Sequence, residues 1–202
     1  MRRNATYLAL SLAAATISMP AVAAVHIFSS PLGPEVAGAT GSGLVTVTFD
    51  TDADTLGITA SWSGLSAGTT VAHIHCCTAV PGTGTVGVAV TPVTLPGFPV
   101  GVTAGSYATT LNLADAATYT GTFLTANGGT PATAEAGLLA GIQAGRAYFN
   151  VHSSRFPGGE IRGFLAPVPE PGTWAMMIAG FGMLGGVMRR RRPIIRLAGV
   201  SG

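Results

Sequence analysis

The sequence predicts an all-β fold, an antiparallel β-sandwich with a small helical insertion, followed by one C-terminal transmembrane helix. Three observations predict it. Between residues 44 and 113 Thr, Val, Ala and Gly dominate, with apolar residues at every second position and turn residues between the runs, which is the pattern of short strands. Residues 115–145 switch to helical spacing with capping residues. Near the end, an uncharged apolar run from Gly172 to Met188 stops at Arg189, Arg190, Arg191 and Arg192.

The elements follow in chain order. Arg2 and Arg3, the apolar stretch Tyr7 to Ile17 and the small residues Ala21 to Ala24 form a secretion signal, cut after Ala24. Its apolar part is about half the roughly 20 residues that a spanning helix needs. Leu44 to Phe49 and Leu56 to Trp62 alternate around the turn residues Asp50 to Asp54, a β-hairpin. Val71 to Cys76 is a third strand, and Thr85 to Val90 and Ser106 to Leu113 are further ones. Asp115 caps a short segment that runs to about Ala126. Thr130-Pro131 opens a helix over 132–144, with Leu138, Leu139 and Ile142 on one face and Gly145 as its stop. Two last strands, Arg146 to His152 and Glu160 to Leu165, flank a hairpin-type loop. Pro167 and Pro169 then mark a linker.

Charge is concentrated in the termini. All ten basic residues are Arg, and between Val25 and Val168 only Arg146, Arg155 and Arg162 remain, against seven acidic residues. The formal balance there is −4, so the domain offers no basic surface for nucleic acid. As a helix the 17 residues from Gly172 to Met188 span about 26 Å, close to a hydrocarbon core, and the arginines place their end in the cytoplasm. Pro169-Glu170-Pro171-Gly172-Thr173-Trp174-Ala175, the apolar run and the arginines together resemble the PEP-CTERM sorting signal of exported bacterial proteins. That resemblance implies recognition of Pro169, Glu170 and Pro171 by an exosortase-type membrane protease. It also implies passage across the inner membrane, transient anchoring and delivery to the cell surface or beyond. The expected layout is therefore a signal peptide (1–24), a folded domain (25–166), a sorting and anchor segment (167–192) and a short cytoplasmic tail (193–202).

Within the domain, Asp50-Thr51-Asp52-Ala53, Ala72-His73-Ile74-His75, Ala147-Tyr148-Phe149-Asn150-Val151-His152 and Phe156-Pro157-Gly158-Gly159-Glu160-Ile161-Arg162-Gly163 resemble the chordin-type (CHRD) domain over roughly residues 26–166. The resemblance implies an immunoglobulin-like β-sandwich and carries no established enzymatic activity. Strand order between about Pro92 and Ala144 stays open.

Side chains of a strand alternate faces, so His73 and His75 share one face, and Tyr148, Asn150 and His152 share another. Opposite them lie the apolar sets Ala72, Ile74, Cys76 and Ala147, Phe149, Val151. If these strands are neighbours, His73, His75 and His152 converge on one Zn or Cu ion, with Glu160 holding an imidazole tautomer and Arg162 nearby. The competing reading is a polar network that pins the sheet. The His-x-His pattern is similar to copper-zinc superoxide dismutases, whose larger histidine set this chain lacks. Cys76 and Cys77 are adjacent in an exported domain, where a vicinal disulfide, free thiols, an intermolecular bridge or a metal role are the alternatives. Asp50, Asp52 and Asp54 begin like a calcium loop, but Thr55 and Ser61 stand where Gly and Glu are required. No nucleophile-base arrangement emerges. The expected function is a surface structural or binding module; the alternative is a mononuclear metal protein or metalloenzyme.

Overall fold

A half-buried strand needs neighbours on both edges and a core on one face, and this chain provides them in antiparallel order. The computed structural model describes residues 25–168, together with 178, 180–183 and 185. The expected signal peptide, the motif Pro169-Glu170-Pro171, the tail 193–202 and most of the expected membrane helix lie outside the described residues. Among the described residues, no helix is long and apolar enough to cross a membrane.

The strands are β1 (Val25–Pro34), β2 (Ser42–Asp50), β3 (Thr55–Ser63), β4 (Thr69–His75), β5 (Val88–Val90), β6 (Gly105–Asn112), β7 (Tyr148–Ser153), β8 (Ile161–Phe164) and β9 (Ala166–Pro167). A 3-10 turn at Ala116–Thr118 and two helices, α1 (Gly121–Ala126) and α2 (Pro131–Gln143), lie between β6 and β7. The sheet is a curled antiparallel ribbon in the order β5-β4-β7-β8-β1-β2-β3-β6. Strand β1 is its joint: residues 25–32 pair with β2, while Gly33 and Pro34 pair with Arg162 and Ile161 of β8. The short β9 pairs with β1 at Phe28 and Ser29.

The alternation read from the sequence is the one that buries the core. Val45, Val47 and Phe49 from β2, Leu56, Ile58, Ala60 and Trp62 from β3 and Ala72 and Ile74 from β4 lie in one apolar cluster with Phe149 and Val151 of β7. Leu138 and Ile142 of α2 close one side of it. The outer faces differ. Strands β2 and β3 turn Thr and Ser to solvent, whereas every residue of β7 is buried. Something must cover β4 and β7 on the side away from the core, and the cover comes from the segment after β4, which is fixed to that strand's edge, and from the loop between β7 and β8. Leu95 donates its N–H to the Ala72 carbonyl at 3.1 Å, and Thr94 Oγ1 accepts from the Ala72 N–H at 3.1 Å.

Four differences from the sequence expectation have physical reasons. Strand β1 is absent from it because Pro31 and Pro34 interrupt the pattern, yet Phe28, Ser30 and Leu32 alternate into the interior. The segment after Asp115 is not one run: Asp115 caps the 3-10 turn, and Thr120 separately caps α1 by accepting from the Phe123 N–H. The strand expected at 85–90 shrinks to three residues. Pro167, expected in a linker, is the end of β9.

Candidate metal centre

Register brings the polar residues together. His73 lies opposite Asn150 and His75 opposite Tyr148 in the β4–β7 ladder, and Asn150 lies opposite Arg162 in the β7–β8 ladder. Since the apolar partners of these residues face the core, the whole polar set projects outward beneath the covering segment. His73, His75 and His152 are only 6, 8 and 8 % exposed. Their candidate ligating nitrogens all lie within 4.8 Å of one another.

Each imidazole has one nitrogen committed to a main-chain carbonyl. His73 Nε2 lies 2.8 Å from the Val93 oxygen, His75 Nδ1 2.7 Å from the Val86 oxygen and His152 Nδ1 2.7 Å from the Pro157 oxygen. A carbonyl only accepts, so each of these nitrogens carries the proton. The opposite nitrogens, His73 Nδ1, His75 Nε2 and His152 Nε2, are then bare lone pairs when the rings are neutral. His73 Nδ1 and His152 Nε2 are 3.4 Å apart, and His75 Nε2 is buried with no hydrogen-bond partner. Burial pushes the pKa of His73 and of His75 down; the Val93 and Val86 carbonyls, and for His75 also the Asn150 side chain, act in the opposite sense, and the neighbouring His152 adds to the lowering.

Around the three rings lies a second set of groups. The His75 ring stacks on Tyr148 with centroids 4.7 Å apart, and Arg162 covers the Tyr148 ring at 5.1 Å. Arg162 also pairs with Glu35 at 3.3 Å and donates to the Gly84 carbonyl at 3.0 Å. Asn150 Oδ1 lies 3.1 Å from His152 Nε2, and Asn150 Nδ2 donates to Glu35 Oε2 at 3.4 Å. Gly159, at φ +126°, makes this contact possible, because a Cβ there would overlap the Glu35 carboxylate and the Asn150 amide.

The sequence-predicted residues divide accordingly. His73, His75 and His152 come together, and Arg162 reaches them through Tyr148 and Glu35. Glu160 is fully buried elsewhere, with its Oε1 accepting from the Ser66 N–H at 2.6 Å. Burial alone would raise its pKa, but hydrogen bonds from Ser153, Ser66 and the Thr40 backbone hold it below the usual value. Tautomers are fixed by main-chain carbonyls instead, and the carboxylate beside the cluster is that of Glu35. Sequence reasoning missed Glu35: it follows the irregular end of β1, and no spacing links it to the histidines. Cys76 and Cys77 form a disulfide just beyond the end of β4. Its sulfurs lie against Gly141 of α2. A cavity of about 550 Å³ opens beside it, lined by Val86, Val88, Phe123 and Asn127 among others, and none of the three histidines lines it.

A curled antiparallel domain with a buried histidine cluster beneath a covering segment is the class that these observations define. Residues 28–165 match the CHRD domain and residues 167–192 the PEP-CTERM protein-sorting motif. The first match spans well over half of the chain, and the chain belongs to the CHRD-domain family. The sorting motif implies recognition by an exosortase and export to the cell surface or beyond. No curated protein and no solved structure matches the chain.

Proposed function

We propose that this exosortase-sorted surface protein is a metal-binding module, with His73, His75 and His152 holding one divalent transition-metal ion of the zinc or copper class. Three neutral imidazoles with converging lone pairs suit such an ion. The observation that carries the reading is the unpartnered His75 Nε2. A proton on His152 would satisfy His73 Nδ1 or Asn150 Oδ1, but it would leave His75 Nε2 buried and unmatched. An ion bound by all three nitrogens leaves none unmatched. A purely structural polar network, the other reading, must accept the desolvation of that nitrogen, which costs roughly 1–3 kcal/mol.

Two further parts belong to this proposal. Residues 1–24 are a removable signal, and Pro169, Glu170 and Pro171 are read by the exosortase while the segment to Arg192 anchors the chain. The two halves joined at β1 form a variant of the immunoglobulin-like sandwich, supported by the single core between their apolar faces. Elemental analysis of the purified full-length protein tests the metal reading. One equivalent of Zn or Cu per chain is expected, with loss of at least 90 % in His73→Ala and in His75→Ala. Metal-free wild-type protein after incubation with excess Zn and Cu would refute it.

A further inference from the structure

We infer that the side-chain oxygen of Asn150 is the fourth ligand of this centre, and that Glu35 aims it there, so that the site is closed to solvent molecules and serves as a structural staple. The inference rests on the metal reading above and deepens it. A neutral amide has a donor end and an acceptor end, and the surroundings decide which faces where. Glu35 offers only acceptor oxygens, and its Oε2 lies 3.4 Å from Asn150 Nδ2. Asn150 Oδ1 is thereby turned toward the histidines, 3.1 Å from His152 Nε2. With the His152 proton committed to the Pro157 carbonyl, this is an acceptor facing an acceptor. The amide oxygen thus joins His73 Nδ1 as a second lone-pair donor beside His152 Nε2, in a cluster whose three imidazoles each offer an atom within 4.8 Å of the others.

Such a set is repulsive when empty and matched when a cation fills it. In a tetrahedron with bonds of about 2.0 Å, ligand atoms sit about 3.3 Å apart; His152 Nε2 is already at 3.4 Å from His73 Nδ1 and 3.1 Å from Asn150 Oδ1, and the three imidazoles, within 4.8 Å of one another, draw closer on binding. Asn150 is 1 % exposed and the Glu35 side chain 7 %, so the amide and the carboxylate that aims it are both shielded from solvent. Glu35 is fixed in turn by Arg162 at 3.3 Å, and Gly159 leaves the space in which carboxylate and amide meet. Three imidazoles and one amide oxygen, with no sulfur, favour a divalent ion such as Zn²⁺ over the soft Cu⁺. Each imidazole also grips a carbonyl of a covering segment, at Val86, Val93 and Pro157. The ion would therefore tie these segments to the sheet.

The test uses the full-length protein loaded with Co²⁺, whose visible spectrum reports coordination. Addition of azide is expected to leave the wild-type spectrum unchanged, because no position is open. Asn150→Ala is expected to bind Co²⁺ at least tenfold more weakly and to shift its spectrum on addition of azide. Asn150→Asp combined with Glu35→Gln, which restores an oxygen ligand and a donor between the two side chains, is expected to be silent to azide again. A wild-type spectrum that responds to azide would overturn the closed centre even if the variants failed to fold. So would tight, azide-silent Co²⁺ binding by Asn150→Ala. Failure of the wild type to bind any Co²⁺ or Zn²⁺ would remove the metal reading itself, a distinct result.

Discussion

At the scale of single residues, the candidate site is legible where alternation rules and illegible where long-range partners decide. The placement of His73, His75 and His152 on outer faces follows from period two and from the apolar character of Ala72, Ile74, Phe149 and Val151, which are fully buried. Glu35 and the three carbonyls are not legible, because each comes from a segment whose path depends on the finished fold. Titration adds a prediction at this scale. Glu135 of α2 is buried with Oε1 unpartnered; burial, and then the carboxylate of Asp54, raise its pKa above 4.5. A carboxyl whose folded pKa is raised adds stability below its unfolded pKa and loses it as pH rises through the folded value. Glu135→Gln should therefore stabilise the protein at pH 7, by on the order of 1 kcal/mol, and give no gain at pH 4. His73 and His75, lowered from 6.5, act with the other slope: in metal-free protein their contribution is complete above pH 6.5 and is lost as pH falls below it. Thermal melts of wild-type and Glu135→Gln protein across pH 4–8 check both signs.

At the scale of elements, α2 shows what short-range signals can and cannot specify. Its start is written locally: Thr130 accepts from the Thr133 N–H, the Thr133 hydroxyl accepts from the Thr130 N–H, and Pro131 occupies the first turn. Its docking is not, since the disulfide of Cys76 and Cys77 packs onto it from more than fifty residues away. Gly141 is the point of closest approach, and a Cβ there would overlap both sulfurs. Gly141→Ala is helix-favouring in isolation, yet it should destabilise the folded protein by roughly 1–3 kcal/mol through overpacking. Urea unfolding would show this as a lower midpoint, and an unchanged or raised midpoint would mean that the helix does not press on the disulfide. Strand β1 escaped the sequence reading for a related reason. Pro31 sits within it, paired opposite Leu44, and proline in a central strand ordinarily argues against a strand. The strand persists because its two edges are shared among β2, β8 and β9.

At the scale of the whole molecule, the sorting address was the most legible feature of all, because it is read as a linear string, whereas the curl of the sheet depends on the β1 joint. If the segment after Pro171 is an anchor removed after recognition, mass spectrometry of surface-exposed protein should find peptides up to the Pro169 region and none from Met176 to Arg192. Retention of that segment in surface protein would leave it an anchor only. The pairing of β9 with β1 has a bearing on timing. Val168 donates its N–H to the Ile27 carbonyl at 2.9 Å, and Pro167 lies opposite Phe28, so the last strand of the domain closes on the first. A chain threaded across a membrane from its amino end presents β1 at the outset with one edge bare, and that edge waits until nearly 140 further residues have emerged. The Pro-Glu-Pro motif begins two residues after Pro167. For a chain exported amino end first and read by an exosortase, completion of the β9–β1 pairing and arrival of the motif at the exit would therefore be nearly simultaneous.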